Sequence, residues 1–155
     1  MTHKTIGWRE WAQLPELEIP HIKVKVDTGA RTSALHAFAV ETYEEKGVPM
    51  VRFALHPLQK RADIERYCTA RIIEERVVSD SGGHKEKRYV IATTIKMGDM
   101  SWPIEITLTN RDTMSFRMLL GRTAMKGLFL VEPGASYLLG KPSTTELENS
   151  YREKL

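Results

Sequence analysis

The stretch VKVDTGA, residues 24–30, decides the fold that we predict for this sequence. Apolar and charged residues alternate up to Asp27, as in a β-strand with one buried face: Ile22, Val24 and Val26 lie on one side, Lys23 and Lys25 on the other. The strand delivers a carboxylate, a hydroxyl and a glycine, Asp27-Thr28-Gly29, into a tight turn. A carboxylate held there can activate water when a second one faces it, and glycine lets a backbone approach closely. The tripeptide also forms Asx-type turns that have no catalytic role, so other segments have to distinguish the two.

Length and composition are those of one globular domain. The chain has 155 residues, 41% of them hydrophobic and 28% charged, which is ordinary for a soluble protein. No apolar run approaches the roughly 18 residues of a membrane span, and the N-terminus does not resemble a signal peptide. Cys68 is the single cysteine, which favours a reducing, cytoplasmic setting. The net charge of +3 permits an acidic partner, and we expect no membrane and no direct nucleic-acid partner.

Period-two segments predominate along the chain and predict an all-β fold with one short helix. Residues 66–78 and 87–97 have the pattern of two arms of a long hairpin with a flexible tip between them. A brief apolar strand at 118–120 leads through Gly121 into the short helix. Residues 1–140 form one predicted domain, and residues 141–155 form a polar tail that is either loosely held or a short helix. Further strands are predicted at 6–11, 33–40, 50–55, 102–108, 128–131 and 137–139.

Three elements in this order resemble the retropepsins, the small aspartic proteases of retroviruses and their cellular relatives. Asp27-Thr28-Gly29-Ala30 matches the catalytic loop, and Leu119-Leu120-Gly121-Arg122 matches the strand that runs beside it. The hairpin between them matches the flap, with its tip at Ser79 to Lys85. The resemblance implies a closed β-barrel of the acid-protease fold with a flap hairpin.

A closer resemblance covers residues 7–140. Segments 25–35, 88–91 and 102–111 are similar to a bacterial group long labelled ATP-dependent zinc proteases. Members often accompany a ligase that adds glutamates to the tail of a small-subunit ribosomal protein. The resemblance implies a retropepsin-like endopeptidase that trims oligoglutamate tails, with the glutamylated ribosomal protein tail as its substrate and the ligase as a further partner.

Aspartic proteolysis requires two carboxylates that share a proton, and the sequence has a single Asp-Thr-Gly. We therefore expect a two-fold homodimer that places Asp27 opposite the partner's copy of the same residue. Thr28 from each chain is expected to brace the pair, and the Gly29 carbonyl to bind the substrate backbone. The flap is expected to cover the bound peptide.

Arg31 departs from the retroviral pattern, which has an acidic residue at that place to pair with the arginine of the Gly-Arg step. Here Arg31 and Arg122 would lie close together without that acid, and their forked donors suit carboxylates. The prediction is an acidic substrate, unless a glutamate elsewhere in the chain pairs with Arg31. We predict that six residues bind substrate: Ala30, Arg31, Thr32, Arg76, Arg88 and Arg122. For Arg76 and Arg88, on the flap arms, a solvated hairpin is the simpler interpretation.

Neither a metal nor a nucleotide is expected. The five histidines are scattered, and the sequence has no His-Glu-x-x-His and no cysteine pair. Residues 82–85, Gly-Gly-His-Lys, lack the spacing of a phosphate-binding loop. Two other functions stay open at this point: a non-catalytic retropepsin-like module that binds acidic tails, and a zinc-dependent peptidase.

Overall fold

The structure, a computed structural model, describes residues 3–59, 61–79, 82–110 and 115–152. Strands predominate, and α1 (Arg122–Met125) and α2 (Thr144–Arg152) are the helices, with a 3₁₀ turn at Pro15–Leu17. The strands are β1 (Lys4–Ile6), β2 (Arg9–Leu14), β3 (Ile19–Asp27), β4 (Ser33–His36), β5 (Ala39–Glu45), β6 (Val48–Leu55), β7 (Arg66–Arg71), β8 (Glu74–Ser79), β9 (Lys85–Met97), β10 (Met100–Thr109), β11 (Met118–Gly121) and β12 (Phe129–Val131). The mostly β fold is confirmed.

The strands form three sheets. The largest has the order β10-β4-β11-β3-β2-β9-β8, β5-β6-β7 form a second sheet, and β1 pairs in parallel with β12. Strand β10 also pairs with β9, so the circuit of pairings returns to its start. Its weakest link is between β2 and β9, which share the single register pair Gln13↔Lys96 among the described residues. The predicted closed barrel is therefore supported only in part, and the fold is better described as mostly β.

The predicted alternation on β3 is confirmed. Ile22 and Val24 are fully buried in the core, whereas Lys25 on the opposite face is exposed. Strand β10 repeats the pattern with buried Ile104 and Ile106. Burying one such side chain stabilises the fold by about 1.5–3 kcal/mol. Burial therefore fixes the register of β3 and, with it, the position at which the strand ends.

Two predicted strands are interrupted. Residues 6–11 divide at Gly7 and Trp8, where the chain lies against Ala135: a side chain at Gly7 would overlap the Ala135 backbone, and the Trp8 N–H donates to Ala135 O at 2.9 Å. The first hairpin arm divides between β7 and β8, which belong to different sheets. The change of sheet occurs within two residues, since the Ile72 N–H donates to Pro49 O and the Ile73 N–H to Val90 O. The part of the tip at Asp80 and Ser81 lies outside the described residues.

Of the two alternatives for residues 141–155, the short helix is observed, so the fold has α2 in addition to α1. Ser143 caps it in a reciprocal arrangement: the Glu146 N–H donates to Ser143 Oγ at 3.0 Å, and the Ser143 N–H to Glu146 Oε1 at 3.4 Å. Tyr151 is buried, and its hydroxyl donates to the carbonyl of His21 on β3. The Arg66 guanidinium lies 4.6 Å from the centre of the Tyr151 ring. The domain boundary at residue 140 stays a prediction.

Two further expectations concern single features. Cys68 is buried in the core, and this burial raises the pKa of its thiol to about 12, which agrees with a packing residue. Neither α1 nor α2 has the length and apolar character needed to cross a membrane.

Candidate active site

The predicted catalytic loop leaves the end of β3 next to β11. These strands run in parallel, with Leu120 opposite Val26 and Gly121 opposite Asp27. A Cβ atom on Gly121 would lie 2.5 Å from the carbonyl carbon of Thr32, so the loop crosses at a distance that only glycine permits. The Gly121 N–H donates to the buried Ser33 Oγ at 3.0 Å. The two segments that resemble retropepsins are therefore in direct contact.

Asp27 is half-buried, and Thr28 and Gly29 are exposed. The Gly29 N–H donates to Asp27 Oδ1 at 2.9 Å, and the Ala30 N–H to the Asp27 carbonyl at 3.3 Å. The first of these bonds is the Asx-type turn that the sequence also predicts. It orients the carboxylate while leaving it half-exposed, so the carboxylate stays open to water.

The start of α1 holds the other side of the loop. Arg122 donates twice, from its backbone N–H to Ala30 O at 2.7 Å and from Nη1 to Thr28 O at 3.0 Å. Thr123 also donates twice to Arg31 O, from its N–H at 3.1 Å and from Oγ1 at 2.8 Å. These four bonds fix the carbonyl groups on both sides of Gly29. Arg122 therefore positions the loop, a contact that the sequence did not predict.

A cavity of about 440 Å³ opens beside this loop. Three cationic side chains line it, those of Arg31, Arg122 and Lys126, and none of them forms an ion pair with a described residue. The predicted proximity of Arg31 and Arg122 is thus observed, and the described part of the chain offers no glutamate partner to Arg31. The remaining lining residues are Thr28, Thr123, Met125, Phe129 and Val131.

The flap arginines face each other across the β8–β9 ladder, in the register pair Arg76↔Arg88. Arg76 reaches the loop, since its Nη1 donates to Thr32 Oγ1 at 3.3 Å, and its Nη2 pairs with Glu105 at 3.1 Å and with Glu74. Burial opposes the charge on Arg76, but the two carboxylates outweigh it and raise the pKa of this residue. Arg76 therefore lies at the site with its charge already compensated.

Arg88 is placed differently. Its guanidinium pairs with Glu86 at 3.1 Å, and its side chain is 11% exposed. Glu86 in turn accepts from Thr109 Oγ1 at 3.2 Å. These contacts give Arg88 a structural role, and substrate binding by Arg88 stays a prediction.

Ser33 and Thr123 support the loop, a role that the sequence did not predict. Their partners are backbone groups of residues 88 and 92 positions away, so no local pattern points to them. Among the described residues, no group of three or more histidine, cysteine, aspartate or glutamate side chains could hold a metal ion. The expectation that no metal or cofactor takes part stays a prediction.

Comparisons with known proteins agree with this arrangement. A model of the RimB-like family, described as "Retropepsin-like aspartic endopeptidase RimB", matches residues 5–142. A solved structure of a Legionella pneumophila protein of unknown function is similar, with a TM-score of 0.73 and 27% identity, and the match covers 89% of this chain and 99% of that one. None of these matches carries the label ATP-dependent zinc protease.

Curated relatives carry a different name. The chain is 45% identical over 149 residues to a protein of Shewanella pealeana, and 42% identical over 152 residues to one of Desulfotalea psychrophila. Both are named "Probable alpha-L-glutamate ligase", and the matches cover 96% and 97% of this chain but 32% of each relative. The chain therefore spans about a third of the length of these relatives. By the family model, which covers most of its length, the chain belongs to the RimB-like family of retropepsin-like aspartic endopeptidases.

Proposed function

We propose that this protein is an aspartic endopeptidase, active as a homodimer, that hydrolyses peptide bonds in acidic, oligoglutamate protein tails. The observation that carries the proposal is the half-exposed Asp27 carboxylate in a loop held by Gly121 and Arg122, beside a cavity lined by cations that form no ion pair with a described residue. Because the sequence has one Asp-Thr-Gly, the second carboxylate comes from a second copy of the chain.

The chemistry follows from two such carboxylates sharing one proton. The ionised Asp27 takes a proton from water as the water oxygen bonds to the scissile carbonyl carbon, and the protonated Asp27 gives its proton to the carbonyl oxygen. The tetrahedral intermediate then collapses, the carbon–nitrogen bond breaks, and a proton passes to the leaving nitrogen.

Charge in the cavity supports an acidic substrate. Arg31, Arg122 and Lys126 repel one another unless an anion joins them, and arginine binds carboxylates through two parallel donors. A glutamate side chain or a terminal carboxylate next to the scissile bond supplies that anion. Ala30, Thr32 and Arg76 lie on the rim of the same loop and complete the proposed substrate contacts.

The tail of a glutamylated ribosomal protein is the substrate that we propose, and a glutamate ligase is the proposed partner. The support is the resemblance of the sequence, together with the longer relatives in which a region similar to this chain is part of a protein named as a glutamate ligase. Glutamates added by a ligase and removed by a peptidase would set the length of the tail. A reducing, cytoplasmic setting agrees with the buried thiol of Cys68.

The main alternative is a non-catalytic module that binds acidic tails for a ligase. The same cationic cavity and the same relatives favour it, and it requires no second carboxylate. The two functions differ in the role of Asp27, because binding does not require that carboxylate.

Mass spectrometry of a glutamate-tailed peptide incubated with the protein separates them. We expect the wild type to release shorter peptides and Asp27→Asn to release none, because the amide cannot act as the base. Asp99→Asn, which changes an exposed aspartate paired with Lys4, is the matched control and should cleave like the wild type. Intact peptide with all three proteins, together with measurable binding, would establish the tail-binding module instead.

A further inference from the structure

The outer face of β2 and β3 carries cations arranged around aromatic rings. We call it the β2–β3 basic face. In the ladder, Arg9 is opposite Lys25 and Trp11 is opposite Lys23. The segment after β12 lies alongside and contributes Tyr137, whose N–H donates to Arg9 O at 3.0 Å. The basic face consists of Trp8, Arg9, Trp11, Lys23, Lys25, Tyr137 and Lys141.

The Tyr137 ring is the centre of this face. The Arg9 guanidinium lies 4.9 Å from its centroid, and the ammonium groups of Lys23 and Lys141 lie at 5.7 and 5.5 Å. Arg9 also lies 4.6 Å from the Trp8 ring, and Lys23 lies 5.3 Å from that of Trp11. The rings partly offset the repulsion between the cations and hold them in a fixed array.

The charges of this face have no ion-pair partner within the described part of the chain, although Glu146 lines a cavity together with Trp11 and Lys141. Arg9, Lys23, Lys25 and Lys141 form no ion pair with a described residue, whereas the flap cations Arg76, Lys87 and Arg88 are all paired. The acid of β2, Glu10, points inward and is fully buried. Like charges placed opposite each other in a ladder destabilise it, as Arg9 and Lys25 do here. An anionic partner would relieve this repulsion.

The basic face leads to the candidate active site. Successive side chains of a strand alternate, so Lys23 and Lys25 lie on the same side of β3 as Asp27. At about 3.4 Å per residue, Lys23 is about 14 Å from Asp27 along the strand, the length of about four residues of extended peptide. The Trp8 carbonyl, which accepts from the Val26 N–H at 2.8 Å, connects the near end of the face to the loop.

We infer that the β2–β3 basic face is an accessory binding site for the carboxylates of an acidic peptide whose scissile bond lies at Asp27. The inference rests on the proposed function and adds to it a surface with which longer tails make more contacts. Glutamates several residues from the cleaved bond bind Lys25, Lys23, Arg9 and Lys141 in turn. Nucleic acid is the less suitable occupant because cations already lie over the Trp8, Trp11 and Tyr137 rings, on which bases would stack.

The test is direct binding of fluorescent peptides to Asp27→Asn, measured by anisotropy, with tails of two and of eight glutamates. The long tail should bind more tightly than the short one. In Asp27→Asn combined with Lys23→Gln, Lys25→Gln and Lys141→Gln, the long tail should bind about tenfold more weakly, because three exposed charge pairs are lost. The affinity of the long tail should also fall as NaCl rises from about 50 to about 300 mM.

Controls make each outcome decisive. Asp27→Asn combined with Lys46→Gln, a change in the exposed β5–β6 turn, should keep the full preference for the long tail. Equal binding of both tails would overturn the proposed accessory site. So would an unchanged preference for the long tail in the triple lysine variant, provided that its circular dichroism spectrum shows that it is folded. Tighter binding of a uridine oligonucleotide than of the long tail, lost in the triple variant, would assign the face to nucleic acid instead. A wild type that binds the long tail through these lysines and cleaves nothing would refute the peptidase proposal and leave the accessory site standing.

Discussion

The cations at the candidate site differ in what they contact. Arg122 donates a hydrogen bond to the Thr28 carbonyl, Arg76 forms ion pairs with two glutamates, and Arg88 forms one with Glu86. Arg31 differs, because its side chain is exposed, lines the cavity and has no ion-pair partner among the described residues. We therefore expect discrimination between acidic and neutral substrates at the loop to depend on Arg31, together with Lys126, which also lines the cavity without an ion pair to a described residue.

Arg31→Gln is expected to reduce selectivity rather than stability. The ratio of kcat/KM for a glutamate-tailed peptide to that for the matching glutamine-tailed peptide should fall about tenfold, the effect of one charge-assisted hydrogen bond. The urea midpoint should not change, because the side chain is exposed and forms no ion pair with a described residue. Arg71→Gln, at the exposed end of β7 in another sheet, is the control. A ratio that is the same in wild type and Arg31→Gln would exclude Arg31 from substrate recognition.

Among the elements, the segment after β12 shows what the sequence could not reveal. Residues 137–139 were predicted to be a strand, yet the segment is held largely by one buried carboxylate. Glu10 Oε2 accepts from the N–H groups of Gly7 and Leu138 at 2.8 and 2.9 Å, and Oε1 accepts from the Leu139 N–H at 3.1 Å. Glu10 stands in a strand next to a tryptophan, where the pattern is that of a surface residue. Its burial could not be predicted from the sequence, because its partners lie up to 129 residues away.

Glu10→Gln is expected to lower the free energy of unfolding by about 2–4 kcal/mol. The amide nitrogen replaces one acceptor and faces a backbone N–H, so at least one buried donor loses its partner. Urea denaturation measures the change. The control is Glu132→Gln, since the Glu132 carboxylate accepts from the Gly134 N–H at 3.0 Å in an exposed turn. The free energy of unfolding of the control should fall by less than about 1 kcal/mol. An equal fall in both variants would contradict the conclusion that Glu10 holds the segment after β12 in place.

At the scale of the whole molecule, the sequence predicted those features that depend on local pattern. The alternation on β3 and β10, the Asp27 turn and the contact of Gly121 with the loop follow from period-two spacing and the family resemblance. The division of the flap arm did not follow, because the apolar residues of β7 and β8 continue in one pattern although they serve two sheets. The pairing of Arg76 with Glu105 on β10 also escaped prediction, since it depends on where the strands lie in space, whereas Arg76 with Glu74 and Arg88 with Glu86 pair within the hairpin.

Mixing subunits tests whether the active unit is a dimer. With a tenfold excess of Asp27→Asn, most wild-type chains enter mixed dimers that have one carboxylate, so the activity per wild-type chain should fall about tenfold. The same excess of an unrelated protein is the control and should have no effect. The contradicting result would be activity that does not change when Asp27→Asn is added, although energy transfer between labelled chains shows that wild-type chains exchange partners. One chain would then be sufficient for activity.

The two-residue crossover at Ile72 and Ile73 limits how the hairpin can move. Its backbone groups are bonded to β6 on one side and to β9 on the other, so the base of the hairpin is anchored to both sheets at once. If this hairpin covers a bound peptide, as we propose, we expect it to bend beyond Ile73, over the short span of β8, rather than to swing as a whole arm. Such a movement would favour a thin, extended chain end over a folded protein loop.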